Sequence, residues 1–332
     1  MAAKIIVPDD FPTVFTGTTA ERRLWALGDV TVFTERGAND ETELIRRVGD
    51  ADIVLSLRAY SRFTDAVLAA CPRLRLISIW GTGTNNVDDA ACRARHVTVT
   101  NTPGTNAHAV AEHTIALMLA VTRQIPAMDR DVRAGQWPRG FLVQLEGKTL
   151  GLIGFGAIGR RVAALAAPFG MRVLTFTWGA DDGRAAAAGA RHVSIDTLLR
   201  ESDIVSLHLR LTAETEGFLG AERLGLMKPT AFLINTARAG LVDRAALVDA
   251  LRNGRLAGAG LDVFHEEPIV ADDPIIGLPN VVLTPHNAGM TPEVVDAGVQ
   301  RAVDNVERYL AEVGDLSHQG APPGHSTRSA SG

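Results

Sequence analysis

Residues Gly151 to Gly170 read GLIGFGAIGRRVAALAAPFG, and the organisation of the whole chain follows from this stretch. The run that enters it, Lys148 to Ile153 (KTLGLI), has the apolar density of a buried strand. It breaks at Gly154-Phe155-Gly156-Ala157-Ile158-Gly159, after which Ile158, Val162, Leu165 and Phe169 recur at spacings of four, three and four, the stripe of an amphipathic helix. The glycines therefore occupy a strand-to-helix turn. There each glycine of G-x-G-x-x-G serves a different purpose. Gly154 allows the tight turn, Gly156 lets a pyrophosphate approach the backbone, and Gly159 lets the helix pack closely on the strand. Free N–H groups and the positive end of the helix dipole face the phosphates. Dinucleotide binding is the expectation.

A chain of 332 residues exceeds the usual size of one core, so two domains are expected. With 46% hydrophobic and 21% charged residues the composition is that of a globular protein, and a net charge of −5 offers no basic footprint for nucleic acid. Cys71 and Cys92 form no C-x-x-C pair and read as small apolar residues of a reducing compartment. No apolar run reaches membrane-spanning length and the start, MAAKIIVPDD, has no signal-peptide pattern, so the expected location is cytoplasmic.

Short β-rich runs alternate with helical patterns from the N-terminus. Strands are expected at Lys4 to Val7, Val30 to Phe33, Ile53 to Leu57, Leu76 to Trp80 and Val97 to Thr100, a rhythm that points to a parallel sheet covered by helices. Asn101-Thr102-Pro103-Gly104 interrupts it as a turn or hinge would. Asn106 to Val121 reads as a buried helix ended by Pro126, either a core element or an arm that packs on another subunit, and Trp137, Pro138 and Phe141 follow in an exposed-looking stretch. After the glycine turn a second series begins, with strands at Arg172 to Phe176, Ile204 to Leu207, Ala231 to Asn235, Ala257 to Val263 and Val281 to Leu283. A final helix, Pro292 to Glu312, precedes a polar tail.

Three stretches stand at the ends of late strands, where open parallel sheets place their ligands: Asn235-Thr-Ala-Arg238, Leu261-Asp262 with Glu267-Pro268, and Thr284-Pro285-His286. Hydride transfer between a nicotinamide and a 2-hydroxy acid needs a fixed cation for the acid's carboxylate and carbonyl, for which the guanidinium of Arg238 is suited. It needs an acid–base group near neutral pKa, for which His286 is the candidate. It also needs a carboxylate to set the imidazole tautomer and favour its protonated form, which Glu267 supplies.

At this point the chain resembles the D-isomer-specific 2-hydroxyacid dehydrogenase family from Ile5 to about Tyr309. The resemblance is carried by Gly81-Thr-Gly-Thr-Asn-Asn-Val-Asp88, Asn101-Thr-Pro-Gly104, Ala111-Glu-His-Thr-Ile-Ala-Leu-Met118, the glycine turn, Met227-Lys-Pro229 and the three strand-end stretches. It implies an α/β fold of two Rossmann-like domains, a doubly wound parallel-sheet NAD(P)-binding domain (residues 101–287) inserted in a flavodoxin-like substrate domain (1–100 and 288–314); the tail (315–332), which lacks large apolar residues after Leu316, is expected to be disordered. It puts Arg238, Glu267 and His286 on the catalytic positions and Gly81, Thr82 and Gly83 in a substrate-carboxylate loop that shares the anion with Arg238. The cofactor-binding set is Gly154, Gly156, Ala157, Ile158, Gly159, Thr177, His208, Thr236, Ala237, Asp262 and Thr102. A homodimer built through the region 106–143 is implied as well.

Departures from the family pattern bear on the cofactor. Thr175-Phe-Thr177-Trp178 occupies the place of the acid that NAD-preferring members use for the ribose, the first acids being Asp181 and Asp182, with Arg184 the nearest downstream cation. Arg210 replaces a common proline in the loop after His208, and Ala239 a common glycine after the catalytic arginine. NAD and NADP are therefore both expected to bind. His113 is expected to be a satisfied core residue, and His208, His265, His96 and His192 lack metal-ligand spacing, so no metal site is expected. The reading is an NAD(P)-dependent D-2-hydroxyacid dehydrogenase acting on a small 2-keto acid of the hydroxypyruvate, glyoxylate or phosphohydroxypyruvate type. For the last of these, Arg58 and Arg62 are candidate cations. The alternative is a non-catalytic NAD(H)-sensing corepressor on the same fold. Neither reading involves nucleic acid as the ligand of this fold or a membrane.

Overall fold

The computed structural model describes residues 2–57, 60–179 and 182–319. They form two compact units, one made of residues up to Thr105 together with those from Pro292 onward, the other of Asn106–Thr291. In the first unit, strands β1 (Ala3–Val7), β2 (Gly28–Val32), β3 (Ile53–Ser56), β4 (Leu76–Ile79) and β5 (Thr98–Thr100) alternate with helices α1 (Thr19–Trp25), α2 (Glu41–Val48), α3 (Asp65–Ala70) and α4 (Asp89–Ala94). The sheet is parallel in the order β2-β1-β3-β4-β5, the flavodoxin-like arrangement. β3 and β4 are buried along their whole length, which explains their continuous apolar runs. Thr18, Asp40, Thr64 and Asp88 start the four helices, each side chain accepting a backbone N–H of the first turn.

The second unit opens with α5 (Ala107–Thr122) and α6 (Ile125–Arg133) and continues through β6 (Thr149–Ile153), α7 (Ala157–Ala166), β7 (Arg172–Phe176), α8 (Asp182–Ala187), β8 (Ala190–His192), α9 (Ile195–Glu201), β9 (Ile204–Leu207), α10 (Ala221–Leu224), β10 (Phe232–Asn235), α11 (Arg244–Arg252), β11 (Gly258–Leu261) and β12 (Val281–Leu283). Its sheet is parallel in the order β12-β11-β10-β9-β6-β7-β8, reversing direction at β6, the strand that carries the glycine turn. This is the doubly wound dinucleotide-binding topology. The last helix, α12 (Pro292–Gln319), returns to the first unit, where Val299, Ala302, Val303 and Val306 join the core of Ile5, Val7 and Leu76. It runs beyond the Glu312 expected for it, and residues 320–332 of the polar tail lie outside the described residues.

Two further differences have local causes, and one alternative left open by the sequence is decided. Pro126 does not merely end α5; it lies in the first turn of α6, where a missing N–H costs nothing because that N–H has no helical acceptor. The strand β8 has only three residues, too few for a period to register. α5 proves to be a core element of its own unit: Gly258 and Gly260 of β11 stand directly under it, and a Cβ on Gly260 would lie 3.1 Å from the Cβ of Leu117. The helix therefore approaches the sheet closely. Among the described residues no helix is long and apolar enough to cross a membrane.

Candidate active site

The three glycines of the turn have different surroundings. Gly154 has φ +99° and a Cβ there would come within 2.5 Å of the His208 carbonyl oxygen, while a Cβ on Gly159 would come within 2.4 Å of the Gly154 oxygen. These two are glycines for the protein's own packing. Gly156 is different, because nothing lies within 4 Å of the Cβ position. The absence of a side chain there leaves open space at the start of α7, whose N-terminus has no side-chain cap. Ala157 and Ile158 supply the next N–H groups, and a pyrophosphate suits this cradle in size and charge. His208 follows β9 against the turn and bonds Ser206 Oγ at 3.0 Å. Burial pushes its pKa down to about 4, so it stays neutral at working pH.

β7 and β9 flank β6 on either side, so the residues after them border the same turn. After β7, Thr177 is half-buried and Trp178 is 54% exposed. The indole is held edge-on to Phe218 at 5.4 Å and to Phe176 at 5.3 Å, a rigid aromatic wall. A cavity of about 400 Å³ is lined by Trp178, Leu209, Arg210, Thr212, Glu214 and Thr215. It contains one cation and one acid. Asp181 lies outside the described residues, as do the side chains of Asp182 and Arg184.

The ends of β10, β11 and β12 carry the other candidates. Asn235 locks the turn after β10, accepting the Ala237 N–H at 3.0 Å and donating to the Arg238 carbonyl at 2.9 Å. The Arg238 side chain folds back to donate to the Ala237 carbonyl at 2.7 Å. Burial lowers the guanidinium pKa while the charge of Glu267 opposes that shift. It remains a cation. Glu267 accepts the Phe264 N–H on Oε1 at 2.9 Å and meets His286 Nδ1 with Oε2 at 2.7 Å. Burial pushes its carboxyl up, yet the His286 and Phe264 hydrogen bonds and the charges of His286 and Arg238 outweigh it and hold the carboxyl below its ordinary value. Glu267 is therefore ionised, the Nδ1 of His286 is the donor, and Nε2 is left for chemistry. Thus the structure brings Glu267 and His286 into direct contact and places Arg238 within reach of their charge.

Asp262 and His113 make contacts that the sequence did not disclose. Asp262 is fully buried, and its carboxylate accepts the Thr284 hydroxyl at 2.6 Å and the N–H groups of Asn287 and Ala288 at 2.9 Å. His113 is not a closed core residue: it is part-exposed, with Nε2 2.9 Å from Thr284 Oγ1 and 3.5 Å from Asp262 Oδ1. Next to it, Thr114 donates to the Val110 carbonyl and meets the Thr236 hydroxyl at 2.9 Å. The signal in the sequence was a run of three polar residues, Glu112-His113-Thr114, in a helix whose later part is apolar.

The remaining candidates belong to the first unit. Gly81 (φ +146°) and Thr82 form a loop tied to the segment after β5: the Gly81 N–H donates to Thr102 Oγ1 at 2.9 Å, and Asn101 Nδ2 to the Thr82 carbonyl at 2.7 Å. Thr102 is fully buried. Because the Gly81 N–H is engaged, the loop's free donors are those of Thr82 and Gly83, for which no protein acceptor occurs among the described residues. Arg62 is exposed, and Arg58 lies outside the described residues. Among the described residues no cluster of three metal-ligating side chains occurs.

A parallel sheet that switches direction at a glycine turn, with Arg, Glu and His at its later strand ends, defines a Rossmann-type dinucleotide-binding unit with a candidate acid–base pair. Residues 115–288 match the NAD binding domain of the D-isomer specific 2-hydroxyacid dehydrogenases. The chain is 40% identical over 305 residues to the D-3-phosphoglycerate dehydrogenase of Mycobacterium leprae, a match covering 91% of this chain and 57% of that enzyme. It thus spans little more than half the length of that relative. It is also 40% identical over 269 residues to the glyoxylate reductase of Korarchaeum cryptofilum, covering 79% of this chain and 81% of that one. Among solved structures, an acyclic imino acid reductase in complex with NADPH and D-Arg superposes with a TM-score of 0.84 at 35% identity, covering 93% of this chain and 97% of that chain. The chain belongs to the D-isomer specific 2-hydroxyacid dehydrogenase family.

Proposed function

We propose that this protein is an NAD(P)-dependent D-2-hydroxyacid dehydrogenase that works as a reductase of a small 2-keto acid. The observation that carries this reading is the 2.7 Å contact between His286 Nδ1 and the ionised Glu267, because it prepares an imidazole to hold and release a proton at Nε2. The nicotinamide, when bound, supplies the hydride. Arg238 binds the acid's carboxylate and carbonyl oxygen through its planar fork, and Thr82 and Gly83 offer N–H groups to a carboxylate in a loop whose turn is made by Gly81. His286 donates the proton to the carbonyl oxygen and Glu267 keeps the imidazolium available. The open position at Gly156, the N–H groups of Ala157 and Ile158, and the packing of Gly154 and Gly159 hold the pyrophosphate, with Thr177, His208, Thr236 and Ala237 completing the cofactor contacts; the Asp262 and Thr102 side chains, fully buried, hold protein partners instead. A homodimer forming through the region 106–143 is supported by the exposed apolar side chains of Ile125, Val132, Trp137 and Phe141, and the working location in this reading is the cytoplasm.

A non-catalytic corepressor-like sensor on the same fold is the second reading. A sensor has no chemical use for a carboxylate-held imidazole, so the Glu267–His286 pair argues for the enzyme. The deciding test follows NADH and NADPH absorbance with hydroxypyruvate, glyoxylate and phosphohydroxypyruvate. Turnover of any of them establishes the enzyme, and cofactor binding with no turnover on a broader set of keto acids favours the sensor.

Two expected results refine the reading. Dissociation constants of NADH and NADPH, measured by quenching of tryptophan fluorescence, will agree within about tenfold, or about 1.4 kcal/mol. The reason is that the cavity beside Trp178 pairs Arg210, which favours a 2′-phosphate, with Glu214, which disfavours it. Arg210→Ala will weaken NADPH and leave NADH unchanged; a hundredfold preference in the wild type refutes the balance. For Glu267→Gln, kcat of reduction will fall at least about tenfold with the cofactor KM unchanged, because a neutral amide replaces the carboxylate that meets His286 Nδ1 at 2.7 Å. A wild-type kcat removes Glu267 from the proton-holding role.

A further inference from the structure

We propose that His113 is a positioning residue for His286, acting through Thr284 and Asp262; the proposal rests on the acid–base role given to His286 above. His286 has φ +52°, a left-handed conformation that residues other than glycine adopt only under strain. Something must hold that turn. On one side the His286 N–H donates to the Thr284 carbonyl at 3.0 Å, and on the other Asn287 and Ala288 both donate backbone N–H groups to the buried Asp262 carboxylate. The conformation of the acid–base residue therefore depends on where that carboxylate sits.

Thr284 and His113 fix the carboxylate in turn. A threonine hydroxyl has one proton, and the 2.6 Å bond commits it to Asp262 Oδ1. In the 2.9 Å contact with His113 the hydroxyl must then accept, so Nε2 of His113 carries a proton and donates it. The same N–H points a partial positive charge at Asp262 Oδ1 from 3.5 Å. The chain His113, Thr284, Asp262, Asn287–Ala288 runs from the middle of α5 to the turn of His286. It exists because Gly258 and Gly260 let α5 lie against β11, bringing a residue 171 positions earlier in the chain to Thr284. Asp262 keeps its three acceptor contacts inside this network, and no proton transfer along it is needed.

Two measurements test the proposal. In histidine-labelled protein without ligand, His113 will show an Nε2-bound proton slow enough in exchange to be seen by NMR, and His113→Leu will shift the ring resonances of His286. Unchanged His286 resonances overturn the idea. In turnover of glyoxylate and hydroxypyruvate with NADH and NADPH, His113→Leu will lower kcat about tenfold with the cofactor KM within twofold. His113→Gln, whose amide N–H replaces that of Nε2, will restore kcat to within threefold of wild type. Retention of kcat in the leucine variant, or a glutamine variant as slow as leucine, overturns it too. Should His113→Leu fail to fold, Thr284→Ser and Thr284→Val make the same comparison, the serine retaining the hydroxyl. If wild-type protein reduces none of these acids, the dehydrogenase reading fails for them, and the NMR arm still decides whether His113 sets the His286 turn.

Discussion

His286→Ala will lower kcat for the reduced keto acid by about a thousandfold, with cofactor affinity unchanged. General acid–base groups contribute about 10² to 10⁴ in rate, and no second imidazole or carboxylic acid is held in the same way among the described residues at these strand ends: Glu267 is ionised and Asp262 is buried under three donors. Alanine is also strained by the left-handed backbone at this position, so a loss of stability must be separated from a loss of chemistry. His286→Asn does this, since asparagine tolerates φ +52° far better than alanine and lacks a group that protonates near neutrality. Both variants will bind NADH or NADPH as the wild type does, by fluorescence, and both will be equally slow. Activity above about a tenth of wild type in either variant means that the proton comes from elsewhere, and the role given to His286 is wrong.

Arg238→Lys will lower kcat/KM for the keto acid by a factor of about 10² to 10³, equivalent to about 3 to 4 kcal/mol. The charge survives in this variant, but the fork does not. Asn235 holds the turn through the Arg238 carbonyl, and the guanidinium uses one N–H on the Ala237 carbonyl, so the remaining N–H groups are presented by a side chain that is already ordered. A lysine ammonium has one point of donation and keeps more freedom, which costs affinity for a planar carboxylate. The loss will appear mainly in the KM of the acid, with the dissociation constant of the cofactor within twofold. Partial recovery of Arg238→Ala by added guanidinium is the companion result. A lysine variant with wild-type KM sinks the assignment of Arg238 to the substrate carboxylate.

How much of this could be read beforehand differs from one residue to the next. The glycine turn, the strand-helix alternation on both sides of it and the grouping of Arg238, Glu267 and His286 at late strand ends are local or periodic signals. They survive in the sequence because a turn needs a glycine at a given position and a buried strand needs an unbroken apolar run. Each strand read from the sequence has its place in one of the two sheets, and β8 alone went unread. The separate roles of the glycines needed coordinates, since only the neighbours of Gly154, Gly156 and Gly159 tell packing from open space. Likewise, the engagement of the Gly81 N–H by Thr102 depends on a loop meeting a segment 21 residues away.

Sequence alone determined the class of this protein: two α/β units, a dinucleotide turn and a candidate acid–base set. Tertiary structure decided what holds the acid–base residue in place. His113 sits in an apolar helix and by periodicity belongs to a core face, yet its ring meets Thr284 because two glycines in β11 let that helix settle on the sheet. Periodicity reports which face of an element is buried and is silent about the partner it meets, so a hydrogen bond spanning 171 residues becomes visible only when the elements are docked.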